Sequence, residues 1–144
     1  MKRIMIAAVL ALFSVGLSGC PMSTSQRQQV AVALDNTSMV IKDAQQAEII
    51  AVGQGLISPQ DDLLVQQEII ALTKLGKTTD ACVLSAVDTA SSLGCIKSEL
   101  ATISTIQADG ALNIKSDKAK GIFNAVMNSA TAVVNGVYTA LGGK

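Results

Sequence analysis

Residues 116–141 read Ser-Asp-Lys-Ala-Lys-Gly-Ile-Phe-Asn-Ala-Val-Met-Asn-Ser-Ala-Thr-Ala-Val-Val-Asn-Gly-Val-Tyr-Thr-Ala-Leu. Ala119, Phe123, Val126, Ala130, Val133, Val137 and Ala140 recur at alternating steps of four and three, the spacing that places one stripe along a helix packed in coiled-coil fashion. Neutral Asn124, Asn128, Thr131 and Asn135 lie on another face. Ser116 supplies an N-cap, Asp117 a negative charge at the positive end of the helix dipole, and Gly142-Gly143 the stop. A long amphipathic helix of this kind must bury its stripe against other helices.

The chain upstream supplies them. Ser58-Pro59-Gln60-Asp61 is a second helix start, with Ser as N-cap and Pro at the first helical position, where no N–H is missed. Leu63, Leu64, Val65, Ile69, Ile70, Ala71, Leu72 and Leu75 go most of the way round that helix, which predicts the most buried element, ending at Gly76. An earlier helix, from about Ser25 to Val52, carries Val30, Ala33, Leu34, Thr37, Val40, Ile41, Ala44, Ala47 and Ala51 at helical spacing before Gly53 and Gly55. Thr78 or Thr79 caps a third helix from Asp80. Ile96, Leu100, Ile103 and Ile106 continue the helical pattern to Asp109-Gly110, and a loop of about six residues with Leu112 and Ile114 follows. No segment alternates with period two. The expected fold is all-α, a small bundle of four or five helices.

The N-terminus is built differently. Lys2 and Arg3 precede an apolar run over residues 4–15, which is the order of a secretory signal and too short to span a bilayer. Leu17-Ser18-Gly19-Cys20 then resembles the lipobox of bacterial lipoproteins. The resemblance implies cleavage before Cys20, acylation of that residue with several chains, palmitate among them, and stable anchoring in the cell envelope. An ordinary signal peptide, with Cys20 incidental, is the alternative. Pro21 is not the Asp that marks inner-membrane retention in such lipoproteins, which favours the periplasmic side of the outer membrane. On this reading residues 1–19 are signal, 20–29 the lipidated end and a short polar tether, and 30–144 the helical domain.

Cleavage changes the charge balance. The 144 residues carry 11 basic and 11 acidic side chains. Loss of Lys2 and Arg3 with residues 1–19 leaves 125 residues at a net charge of −2. That balance, without a basic patch, gives no reason to expect nucleic-acid binding. The chain has no His, which removes Ser-His and Cys-His nucleophile pairs, a His general base and His-containing zinc sites. No carboxylate spacing marks an acid/base pair, and no phosphate or metal motif appears. The expectation is a protein that is not an enzyme and carries no cofactor or metal.

Three features remain as candidates. Cys82 and Cys95 enter an oxidising compartment if the chain is exported, where a disulfide would persist. On one straight helix their Cα atoms would stand about 20 Å apart, so an intrachain bond requires the chain to reverse, which Ser91-Ser92-Leu93-Gly94 permits. Two buried free thiols, or a bond between chains, are the alternatives. Lys115, Lys118 and Lys120 oppose the dipole of the last helix and point to an anionic surface or an acidic partner, against the alternative of a solvated helix end. Residues 121–143 are uncharged and carry the small-residue spacing Ala132, Gly136, Ala140, which suits close helix approach in a membrane, although Asn124, Asn128 and Asn135 oppose insertion.

The function expected is a lipid-anchored envelope protein. It attaches to the membrane through Cys20, and its helical domain meets a protein partner or itself through aliphatic faces, as an assembly accessory, scaffold or blocking factor. An oligomeric membrane-active or pore-forming element built on the last helix is the alternative, as is a carrier of an apolar ligand.

Overall fold

Four helix starts are fixed by side chains that take up otherwise unpaired backbone N–H groups. Ser23 and Gln26 form a reciprocal capping box: the Gln26 N–H donates to Ser23 Oγ at 3.2 Å and the Ser23 N–H donates to Gln26 Oε1 at 2.8 Å. Ser58 Oγ accepts from the Asp61 N–H at 3.1 Å, Asp88 Oδ1 from the Ser91 N–H at 2.7 Å, and Ser116 Oγ from the Ala119 N–H at 3.3 Å. In the computed structural model, which describes residues 21–143, these caps open α1 (Thr24–Gly53), α2 (Pro59–Ser85), α3 (Thr89–Asn113) and α4 (Asp117–Ala140).

The connections are residues 54–58, 86–88 and 114–116. A three-residue link reaches roughly 10 Å, whereas a 25-residue helix rises about 38 Å, so each helix must return beside the one before it. Each helix packs on its neighbours in sequence, and α4 closes the ring on α1. The result is an antiparallel four-helix bundle, in agreement with the all-α expectation. Among the described residues the only β pairing is an isolated bridge between Pro21 and Asp88.

The buried stripes keep the four-and-three period. They comprise Val30, Leu34, Ile41, Glu48 and Ala51 on α1, Val65, Ile69, Leu72, Thr79 and Val83 on α2, Ser92, Ile96, Glu99, Ile103 and Gly110 on α3, and Ala119, Phe123, Val126, Met127, Ala130 and Val134 on α4. On α4 the stripe follows the sequence reading to Ala130 and then centres on Val134, with Val133, Val137 and Ala140 half-buried. On α1, Ala47 is exposed and Glu48 takes the inward place. Nor is α2 buried all round: Leu63 is 56 % and Ile70 52 % exposed, because only one side of this helix meets the bundle.

Two glycines read as stops are not stops. α2 runs through Gly76 to Ser85, because Leu72, Thr79 and Val83 continue the buried stripe, and packing outweighs the roughly 1 kcal/mol helix penalty of Gly. The third helix expected at Asp80 is therefore the end of α2. Thr78, expected as its cap, instead bonds back to the Lys74 carbonyl at 3.0 Å. α3 likewise continues through Gly110 to Asn113, so the expected six-residue loop shrinks to residues 114–116. A Cβ at Gly110 would lie on the Phe123 ring of α4. The residue is small because an aromatic ring occupies the space. Gly55, with φ 69°, is a true terminator, and Gly142, with φ 86°, is another.

Gly110→Ala is therefore expected to destabilise the domain by about 1–3 kcal/mol through overpacking. Gly94→Ala, with nothing within 4 Å of the added methyl, should be neutral or stabilising by up to about 1 kcal/mol. Chemical denaturation of the two variants checks the contrast.

Candidate functional site

An even number of antiparallel helices brings both described termini to the end of the bundle that holds the α2–α3 turn. The chain does not hang loosely there. Pro21 lies antiparallel beside Asp88, and Met22 is 8 % exposed, its sulfur accepting from Ser92 Oγ at 3.2 Å. Arg27 reaches across from the first turns of α1. Its Nη1 donates to the Ala86 carbonyl at 2.7 Å and the Leu84 carbonyl at 3.2 Å, and its Nη2 to Thr24 Oγ1 at 3.4 Å. The last carbonyls of α2 have no partner within their own helix and carry the negative end of its dipole, so a guanidinium answers both needs. Arg27 is the only Arg beyond residue 3. Of residues 20–29, read from sequence as the lipidated end and a tether, Thr24 to Gln29 are helical and Met22 is packed.

The same turn carries the disulfide. Cys82, in the last turns of α2, is bonded to Cys95, in the second turn of α3, with their Cα atoms 5.9 Å apart. The intrachain reading thus holds, but the reversal lies at residues 86–88. Ser91 to Gly94 are helical, because Asp88 caps α3 ahead of them.

Lys115, Lys118 and Lys120 stand at the opposite end, beside the α3–α4 turn. Lys115 and Lys118 are exposed and Lys120 half-buried. That turn is held by Asp61, which the sequence explains only as part of a helix N-terminus. Its buried carboxylate accepts from the backbone N–H groups of Lys115 at 2.8 Å and Ser116 at 3.1 Å, and from Ser58 Oγ at 3.2 Å. Those bonds, led by the one from Lys115, hold its carboxyl below the usual range. The Cys pair and the lysines thus occupy opposite ends, and Cys20 lies outside the described residues.

The structure adds carboxylates that the sequence did not single out. Glu48 and Glu99 are each 2 % exposed, and burial pushes each carboxyl up to about 7. Asp62 opposes Glu48 and bonds to it; Asp80 opposes Glu99, partly offset by a bond from Thr79. Asp80 is itself raised by burial and by Asp35. One oxygen each of Glu48, Glu99 and Asp80 is buried without a partner. The signal was present in the sequence: Glu48 stands seven residues after Ile41, and Glu99 midway between Ile96 and Ile103 on the stripe. Among the described residues no group of three or more His, Cys, Asp or Glu is placed to hold a metal, and no helix is long and apolar enough to cross a membrane. Comparison with protein-family models, curated proteins and solved structures finds no match for the chain.

Two expectations follow. An acid whose folded pKa is raised keeps its proton after the unfolded chain has lost it, so Glu48 and Glu99 make stability fall as pH rises from about 4.5 to about 7. Glu99→Gln should flatten that slope and gain on the order of 1 kcal/mol at pH 8, after discount for solvent screening. Thermal melts of both proteins from pH 4 to 8 read the difference. Reduction of Cys82–Cys95, whose sequence separation is 13, should cost about 3 kcal/mol by release of the closed loop, measured by denaturant unfolding with and without a reductant.

Proposed function

We propose that this is a non-enzymatic, lipid-anchored protein of the bacterial cell envelope whose helical bundle mediates protein interaction at the membrane surface. The observation that carries the reading is the order of features in the chain: a charged start, a short apolar run and Leu17-Ser18-Gly19-Cys20, followed at once by a folded domain. The Cys82–Cys95 bond supports export, since disulfides persist where the cell is oxidising. The described part of the chain adds surface suited to contact: Val32, Met39, Ile49 and Ile50 lie exposed along α1, although none is needed for the core. Pro21 after Cys20 favours the outer membrane over the inner.

A membrane-active role for the last helix has less support. The apolar stripe of α4 is occupied in the bundle, with Ala119, Phe123, Ala130 and Val134 all at most 1 % exposed. Exposing it to lipid would require the bundle to open. A carrier of apolar ligands would need an enclosed cavity. The grooves at the α2–α3 turn, lined by Cys82, Val87 and Cys95, and between α1 and α4, lined by Val40 and Ile122, are open to solvent.

In envelope fractions the N-terminal peptide should begin at Cys20 with a mass increase equal to its acyl chains. A Cys20→Ala variant should move to the soluble fraction with its fold intact. An unmodified Cys20 inside a longer N-terminal peptide would contradict the reading. Crosslinking of the native protein followed by mass spectrometry should return a defined partner. Self-oligomers with dye leakage from vesicles would favour the membrane-active alternative instead.

A further inference from the structure

We propose that the α2–α3 turn is the membrane-facing foot of the protein, with Leu84 and Val87 resting in the interfacial layer of the bilayer that holds the Cys20 lipid. The inference rests on the anchoring reading and adds an orientation to it.

Covalent geometry carries the first step. Residue 20 is one peptide bond from Pro21, and a peptide bond of either form keeps consecutive Cα atoms within about 3.8 Å. Pro21 is bridged to Asp88, and Met22 is buried and bonded to Ser92. Ser23 already caps α1, and Arg27 ties its first turns to the Leu84 and Ala86 carbonyls. No slack remains between the acylated position and the turn. Wherever the lipid enters the bilayer, residues 84–88 must follow it to within a few ångströms.

The chemistry of the turn carries the second step. Val87 is 70 % and Leu84 45 % exposed, at the tip of a connection where a water-facing turn would ordinarily be polar. Their neighbours Ser85, Ser91 and Gly94 are small and uncharged, and with Val87 they line a groove open to solvent. Among the described residues, the charged groups nearest the turn are already engaged: Arg27 on the α2 carbonyls and Asp88 on the Ser91 N–H. Two apolar side chains beside an acyl anchor gain more from the headgroup boundary than from water. The disulfide between Cys82 and Cys95, just behind the tip, keeps the two helix ends together under that load. A bundle seated on this foot stands upright. Lys115 and Lys118 then project about 35–40 Å from the anchoring leaflet, the length of one helix. An anionic surface met by those lysines is therefore not the membrane that holds the lipid.

The chain has no Trp, so one introduced indole reports one position. Val87→Trp, Leu84→Trp and Leu112→Trp, the last 83 % exposed at the opposite end, are made in the full chain, purified with their lipid and reconstituted into phosphatidylethanolamine–phosphatidylglycerol vesicles containing brominated phosphatidylcholine. Circular dichroism first confirms that each variant keeps its helices, and the mass of the Cys20 peptide confirms acylation. The expected result is blue-shifted emission for the residue 87 and 84 probes, with quenching at least about twofold stronger than for the residue 112 probe, as interfacial burial requires. An acylated protein that floats with the vesicles, but whose residue 87 and 84 probes are no more quenched than the one at 112, overturns the orientation and leaves the anchor standing. A Cys20 peptide without acyl chains overturns the anchor, and the foot with it.

Discussion

Short connections govern this molecule. Links of three residues at 86–88 and 114–116 cannot carry the chain along helices of 24 to 27 residues, so every helix must turn back on its predecessor. Four such passes place both ends of the described residues, Pro21 and Gly143, beside the α2–α3 turn, and the other two turns at the far end. What this arrangement brings together depends on pairings distant in sequence: Arg27 with Leu84 and Ala86, Met22 with Ser92, Cys82 with Cys95 at one end, and Asp61 with Lys115 and Ser116 at the other. Each end thus has its own fastening, and both fastenings use backbone groups that the helices leave unpaired.

The core between the ends is aliphatic and narrow. With Phe123 the only fully buried aromatic side chain among the described residues, packing depends on close fit rather than on bulk, as Gly110 against its ring shows. Glu48 and Glu99 interrupt that core at a cost, since burial opposes ionisation and each leaves an oxygen unpaired. Such groups make the bundle more stable in mild acid than at neutral pH. Asp61 acts in the other sense, because its hydrogen bonds favour the charged form and are lost as pH falls through its depressed value.

Much of the architecture was legible in local signals. Ser58-Pro59 and Ser116-Asp117 open helices where expected, Gly55 and Gly142 close them in the left-handed conformation, and the α4 stripe from Ala119 to Ala130 is the buried one. Gly76 and Gly110 misled because a glycine reads as a stop from its own conformational freedom, whereas here the neighbouring helix decides. The capping box at Ser23 and Gln26 and the inward register of Glu48 were present in the sequence but obscured, the first by the polar composition of its segment, the second by its charge. The site was harder to see. The cysteine pairing was favoured only on the expectation of an oxidising compartment, with the spacing along one helix against it and two alternatives open, and Arg27 reaches carbonyls 57 and 59 residues away, which no local pattern announces.

The central claim is that the chain enters the bundle already fastened to the α2–α3 turn, so that whatever holds residue 20 also sets the position of that turn. It is tested most directly by nuclear Overhauser contacts in the soluble Cys20→Ala domain with the disulfide intact. The account predicts cross-peaks between the Met22 methyl and Ser92, whose side chains touch at 3.2 Å, together with slow exchange of the Arg27 guanidinium protons. A Met22 methyl with random-coil shifts and no contact to α3 would contradict it, and would make residues 21–29 a free tether.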